Sequence, residues 1–368
     1  MNQPTLAQKL LHHAPALSAA SVAAGFDGFV DEMITVVGER KDLENFTPVA
    51  DIGTFGTLVS AAAGHSSLRE IVVTRTDAGG CSVNMGDGLL AFGIALDLFS
   101  TLGEPVHPAF APLVERCRTL QSWGREPGRT LAFEFTDGKL MFSAVRQLAD
   151  FDADHVRARL SDGVFAKACA EAGLIALTNW TLYPHMTDVW ALLAEDVFAH
   201  LAPGKHLFID LVDPSSRHPG DIRRMLEVLP RMALHTRLCL GLNGNEGNLI
   251  ARLLDIPEAR EDEASILSQA EAIRDRLGVD EVVVHWVKIA ASASAQGSAV
   301  VTGPYCQKPK KSTGAGDRFN AGYALGLLLG FAPEERLFLA TASSGYFVRT
   351  ATSATVNELA AFLTDGTV

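Results

Sequence analysis

The sequence predicts an α/β fold with a mainly parallel central sheet and helices packed on both of its faces. Two observations carry this. Short apolar runs recur along the chain, and between several of them lie longer stretches of helical pattern; strand, helix, strand in succession builds a parallel sheet whose crossovers cover both faces. The second observation is bulk. At 368 residues, 48% hydrophobic and 20% charged, the chain can bury a sizeable core, and α/β chains of this length often form one large domain with an appendage. Residues 1–368 are therefore expected to form a single α/β unit carrying a small β lid.

The strand-like runs are 21–26, 95–99, 174–177, 206–210, 237–242, 281–285 and 298–301, with helical patterns at 187–200, 221–231 and 265–277 between them. Ligands of such sheets collect at the carboxyl ends of the strands. One segment breaks the alternation: residues 129–135, Thr136-Asp137-Gly138, then 139–145. An Asp-Gly turn between two β-prone runs signals a hairpin lying between core units. Lid segments are placed at about 30–50 and 127–147, and a decorative surface hairpin fits the second pattern equally well.

The net charge of −12 repels phosphate backbones and anionic lipid surfaces, so neither nucleic acid nor membrane is expected as a partner. Lys308, Lys310 and Lys311 form the one conspicuous basic cluster and read as a solvated strand edge. The five cysteines are scattered without a Cys-x-x-Cys pair, which argues against a disulfide framework or zinc site and favours a reducing cytoplasm. The longest nearly uncharged apolar stretch, 321–332, falls well short of the ~20 residues that cross a bilayer.

The strongest chemical signal is Lys311-Ser312-Thr313-Gly314-Ala315-Gly316-Asp317, followed by a helical pattern to Gly330. Small residues turn the backbone tightly and expose successive N–H groups, and a helix start adds its positive dipole end, so phosphate oxygens suit this place. A carboxylate beside a bound phosphoryl group repels it. Asp317 makes sense there as a base taking a proton from an attacking hydroxyl, or, with even odds on this motif alone, as a helix cap. Neither a P-loop nor a dinucleotide fingerprint is present. Gly322, Gly326 and Gly330 recur every fourth residue and read as a packing stripe.

Two earlier groups matter. Gly79-Gly80 followed by Asn84 lets a ligand approach the main chain and offers it an amide donor and acceptor, although an ordinary glycine turn explains the pattern as well. Asp27 and Asp31 lie at the end of the first predicted strand, where they could anchor sugar hydroxyls or stand as solvated loop acids.

These groups, in this order, resemble the ribokinase-like, or PfkB, carbohydrate kinase family over nearly the whole chain. Ser312 to Asp317 matches its late signature without a gap. The resemblance implies a three-layer ribokinase-like fold and an anion hole at Gly314, Ala315 and Gly316, with Asp317 as catalytic base. It implies sugar contacts at Asp27, Asp31, Gly79, Gly80 and Asn84. Asn243-Gly244-Asn245-Glu246 matches the family's Asn-x-x-Glu, which places Glu246 with magnesium and Asn243, Thr313, Gly314 and Gly316 with nucleotide. Asp213, Pro214 and Arg217 resemble a family loop more weakly. One departure stands out: His285-Trp286-Val287-Lys288 and an Ala/Ser-rich run replace the family's Thr or Ser with glycines near the nucleotide.

The function expected is ATP- and magnesium-dependent phosphorylation of a sugar or sugar-like hydroxyl, with use of a monovalent cation and a homodimer joined through the lid as further implications of the resemblance. The alternatives are a nucleoside kinase of the same fold, with Phe26, Phe29 or Trp180 stacking on its substrate, and a non-catalytic sugar or nucleotide sensor.

Overall fold

The computed structural model describes residues 3–366, so the four terminal residues of the expected 1–368 unit lie outside it. In chain order the strands are β1 (Ser21–Phe26), β2 (Phe29–Arg40), β3 (Phe46–Pro48), β4 (Ile71–Gly79), β5 (Ala95–Ser100), β6 (Thr119–Ser122), β7 (Gly128–Phe135), β8 (Gly138–Ala144), β9 (Leu174–Thr178), β10 (His206–Asp210), β11 (Arg237–Asn243), β12 (Glu281–His285), β13 (Ile289–Ser294) and β14 (Gly297–Thr302). The main sheet has the order β14-β13-β12-β11-β10-β9-β1-β5-β6. From β6 to β12 every pairing is parallel, and β13 and β14 turn back antiparallel at one edge.

Alternation along the strands shows why both faces are covered. In β10, Leu207 and Ile209 enter one core and Phe208 the other; in β12, Val282 and Val284 oppose Val283 in the same way. The first core is closed by the helices Val164–Glu171, Met186–Asp196, Pro219–Ala233 and Glu263–Leu277, and the second by Cys81–Ala91, Ala315–Leu328, Pro333–Thr350 and Val356–Asp365. Strands buried on both sides read as continuous apolar runs rather than alternating ones, which is why β1, β10 and β12 fall where the sequence predicts them. Strand β13 escaped that reading. It is Ile-Ala-Ala-Ser-Ala-Ser, and its small side chains are buried between β12 and β14 beneath two helices.

A second, five-stranded sheet stands apart from the first. Strand β2 pairs with β4, β7 and β3, and β8 folds back on β7 through the Asp-Gly turn. Residues 30–50 and 127–147 supply β2, β3, β7 and β8, while β4 comes from a stretch that the sequence reading left unassigned. Most of β4 is exposed, so it carries no core-facing pattern to recognise. The basic cluster is likewise not on a strand: residues 303–314 form a loop, in which Lys308 and Lys310 are exposed and Lys311 is half-buried.

Helix Ala315–Leu328 runs through the middle of the second core. A Cβ at Gly322 would lie 2.7 Å from the Leu339 carbonyl oxygen and 2.8 Å from the Ala340 Cα, so the two helices touch backbone to backbone there. Gly326 serves the same contact against Arg336. Gly330 does not: it has φ +66° beyond the helix end, with open space around it, and terminates the helix instead of packing it. Gly322→Ala gains about 1 kcal/mol of helix propensity but overpacks rigid backbone, which typically costs about 1–3 kcal/mol. Urea unfolding should show a lower midpoint with an unchanged slope; an equal or higher midpoint refutes the close contact.

Candidate active site

The carboxyl ends of the main strands meet the second sheet in a cleft, and Asp27, just after β1, sits beneath it. Its Oδ2 accepts hydrogen bonds from the Cys81 amide at 2.6 Å and Asn179 Nδ2 at 3.0 Å. Its Oδ1 accepts from the Ser82 amide and from Thr178 Oγ1, each at 2.8 Å. The residue is fully buried. Helix Cys81–Ala91 begins at Gly80, which has no side chain to cap it, so Asp27 supplies the cap and a negative charge from across the fold. Gly80 is required there: its φ is +101°, and a Cβ would lie 2.9 Å from the Asp27 carbonyl oxygen. Both of its oxygens are thus engaged by protein donors, an arrangement that suits a scaffold beneath the site better than the sugar contact expected of it.

Asp31 on β2 lies opposite Asp77 on β4, and its carboxylate rests against Gly79, where a Cβ would fall 2.3 Å from Oδ2. Burial raises its pKa; the Thr130 hydrogen bond opposes this and Asp77 adds to it. Asp77 is matched by Arg75, whose Nε lies 2.8 Å from both of its oxygens. Lys311 faces this pair from the other side of the cleft: burial lowers its pKa, and Asp77 raises it.

Gly314, at φ +88°, starts helix Ala315–Leu328. The Ala315 amide already donates to the Ser312 carbonyl at 3.1 Å. Among the described residues, the Gly314, Gly316 and Asp317 amides have no such partner, so of the three amides the motif suggests only that of Ala315 is already engaged. Asn84 comes to this loop from the early motif: a Cβ on Gly314 would lie 3.6 Å from its side-chain amide. Asp317 is buried in the first turn. Its pKa is raised to about 7 by burial and by Asp210, with Arg318 and a hydrogen bond with the Cys81 thiol opposing.

Asp210, Glu246 and Asp317 form an acidic group at the floor of the cleft. Asp210 ends β10; its Oδ1 accepts from the Val212 amide at 2.9 Å and its Oδ2 from Asn320 Nδ2 at 2.6 Å. Val212 has φ +61°, a strained conformation for a β-branched residue. Asn320 is buried, and its Oδ1 has no partner. Glu246 closes a capping box with Asn243, accepting from the Asn243 amide at 2.8 Å while Asn243 Oδ1 accepts from the Glu246 amide at 3.0 Å. Burial and then Asp210 push Glu246 well above the carboxylate range, and burial raises Asp210.

Across the Ala315–Gly316 turn opens a cavity of about 460 Å³, bounded by Asn243, Gly244, Trp286, Tyr305 and Gly345. His285 forms part of its wall, its ring centroid 4.5 Å from that of Phe319. Burial lowers this imidazole's pKa to about 4, so it is neutral near pH 7. The aromatics that a nucleoside substrate would need are elsewhere: Phe26, Phe29 and Trp180 are all buried in the first core, Phe26 stacked on Trp123 and Trp180 beneath Arg217. Arg217 also donates to the carbonyls of Thr181 and Tyr183, a structural duty.

The profile of the prokaryotic ketohexokinases matches residues 8–366. The chain belongs to this family. A ketohexokinase of Haloferax volcanii is 28% identical over 344 residues, covering 93% of this chain and 90% of its own. Among solved structures, a carbohydrate kinase from Agrobacterium tumefaciens superposes with a TM-score of 0.63 at 15% identity, covering 94% of this chain and 97% of that one. A ribokinase from Thermotoga maritima does so with 0.62 at 15%, covering 94% and 100%. The fold is therefore ribokinase-like, and this member of the ketohexokinase family is a kinase that phosphorylates a sugar hydroxyl.

Sequence reading missed Asp210, Asn320, Thr178, Asn179 and the cleft-facing position of Lys311. Asp210 was within reach, because it is the last residue of a predicted strand and lies where α/β ligands gather. The partners of Asp27 were not, since nothing local marks Thr178 and Asn179 as its donors. Asp27→Asn keeps the shape but removes the charge that four donors address. It should lower unfolding stability by about 2–3 kcal/mol, read by urea denaturation. Unchanged stability with a raised sugar KM would instead make Asp27 a sugar ligand.

Proposed function

We propose that this chain transfers the γ-phosphoryl group of ATP to a hydroxyl of a ketohexose, with Asp317 as general base. The observation that carries the reading is the position of Asp317: a carboxylate with its pKa raised to about 7, between open backbone amides and the Asp31–Gly79–Asn84 side of the cleft. The family profile and the Haloferax volcanii relative support a ketohexose as acceptor. Sugar is held by Asp31, the Gly79–Gly80 backbone and Asn84, with Asp27 as scaffold beneath them. Nucleotide occupies the cavity beside Asn243 and Gly345 and points its phosphates at the Gly314 turn.

In the transfer, the sugar hydroxyl gives its proton to Asp317 as its oxygen bonds the γ-phosphorus, and the bond from that phosphorus to the β-γ bridging oxygen breaks to leave ADP. The Gly316 and Asp317 amides, with Gly314 giving close approach, hold charge developing on the transferred oxygens. Thr313 flanks them. Among the described residues, no group of three or more His, Cys, Asp or Glu is arranged to hold a metal alone. Magnesium does not require one, since it is commonly bound by one or two carboxylates together with substrate phosphates and water. Glu246, raised by burial beside Asp210, fits that role; Mg²⁺ bound there with nucleotide would neutralise phosphate charge. Closure of the second sheet over the cleft keeps water from the phosphoryl group. Exposed Ile71, Val73, Met141 and Phe142 on that sheet support a homodimer formed through it. Five free cysteines support a cytoplasmic location.

ADP release from ATP and magnesium should be fastest with ketohexoses in a screen of sugars, sugar phosphates and nucleosides; no sugar-dependent release would favour the sensor. Asp317→Asn should lose roughly 10²- to 10⁴-fold in turnover while still binding nucleotide, and wild-type turnover would defeat the assignment.

Because the base must be ionised, kcat/KM should rise with pH through about 7. Asp210→Asn removes a neighbouring negative charge, so that limb should move to lower pH; no movement would show that Asp210 does not act on Asp317. The folded-state pKa lies above the ordinary 3.8, so the stability it lends is complete at low pH and is lost as pH rises toward 7 and beyond. Asp317→Asn, uncharged throughout, should therefore melt higher than wild type above pH 7, and a lower melting temperature there would contradict the burial argument.

A further inference from the structure

At the amino ends of β10, β11 and β12, opposite the active site, lies a second cavity of about 300 Å³, which the phosphoryl-transfer chemistry does not use. Of the residues lining it only Ala295 is apolar; the others are His206, Arg237, Asp280, Glu281, Ser294, Gln296 and Arg336. Its base is a satisfied network. The buried Arg336 pairs with Glu281 at 2.6 Å and donates to the Phe331 carbonyl and to Gln296 Oε1. Glu281 also accepts from Ser292 and Tyr323, and Ser294 donates to the Gly297 carbonyl.

What remains open above that base is a set of donors. Arg237 is exposed, and its guanidinium has no hydrogen-bond or ion-pair partner among the described residues. Gln296 accepts through Oε1, which leaves its side-chain N–H groups free. His206 is half-buried on the same wall, and its pKa is lowered to about 4 by burial and then by Arg237 and Arg336, with no acid opposing them. Its ring is therefore neutral near pH 7 and retains an N–H to give. The opposing group is Asp280, exposed on the rim, whose Oδ2 accepts from the Leu238 amide at 2.9 Å. Glu281 is matched by Arg336, so Arg237 and Asp280 set the net charge a ligand meets.

We propose that this cavity binds a small dianion, a dicarboxylate or a phosphate, through Arg237, Gln296 and His206, and that its occupancy alters turnover. The physical connection is helix Ala315–Leu328. It carries Asp317 in its first turn, and its Tyr323 bonds Glu281 and Ser292 at the cavity base.

The test titrates the full chain with succinate and, separately, inorganic phosphate by calorimetry, then repeats sugar-dependent ADP release with each at fixed free magnesium. Arg237→Ala should weaken binding about tenfold or more, as expected for loss of a charged hydrogen-bond donor. Asp280→Asn should tighten it, and both variants should keep wild-type basal turnover. Whichever anion saturates at lower concentration identifies the ligand class. Binding is measured without catalysis, so it stands or falls apart from the kinase reading. The proposal is overturned if neither anion binds at millimolar concentration, if Arg237→Ala binds as wild type does, or if saturation leaves turnover unchanged.

Discussion

Four hydrogen bonds converge on the Asp27 carboxylate from two distant parts of the chain, the start of helix Cys81–Ala91 and the end of β9. A carboxylate this deep is tolerable only when its lone pairs are filled. The helix start, in turn, would leave two amides without acceptors if Asp27 were absent. Each side of the interaction needs the other. Its consequence is positional: the same helix brings the Cys81 thiol against Asp317 and Asn84 against the Gly314 turn. Asp317 and the amides of the Gly314 turn thus take their relation to the early glycine motif from a fully buried carboxylate.

Around that fixed point the cleft holds features that a fold optimised for stability would lack. Val212 is at positive φ, Asn320 keeps a buried oxygen without a partner, and three carboxylates have raised pKa values, by burial first, with Asp210 adding to the rise of Glu246 and Asp317, and Asp27 to that of Asp210. Strain and unmet polar groups concentrated in one place mark a functional site. For Asp317 the raised value, owed first to burial, bears on the base role proposed for it. A carboxylate with an ordinary pKa would be a weak base near neutral pH, whereas one raised to about 7 takes a hydroxyl proton far more readily. The two large hydrophobic cores on either face of the sheet offset what the cleft costs.

How much of this is legible in the sequence depends on whether the governing interaction is local. Strands β1, β10 and β12 could be read because burial on both faces leaves continuous apolar runs. The Gly314 turn and Asp317 could be read because loop, helix start and acid are adjacent. Asp27 was found by residue type, but its scaffold partners could not be, since only the fold reveals that all four of its donors come from elsewhere. Strand β13 was hidden because close helices on both sides demand alanine and serine, residues with little β preference. Gly330 was taken for a packing residue by its spacing alone, and only its positive φ separates it from Gly322.

The same parallel strands give the molecule two chemically opposite ends. His206 and Asp210 bound β10, separated by roughly 13 Å at about 3.3 Å per residue. At one end stand buried carboxylates; at the other, the Arg237 guanidinium, unpaired among the described residues, with Asp280 on the same rim. Direct Coulomb influence over that distance through a protein interior is modest at an effective dielectric near 20, and for exposed groups such as Arg237 salt screens it further. The effect proposed for an anion bound at the far end would therefore have to be mechanical, and helix Ala315–Leu328 connects the two ends. It holds Tyr323, bonded to Glu281 and Ser292 at the cavity base, and Asp317 on one continuous helix, which is the path along which the proposed effect on turnover would travel.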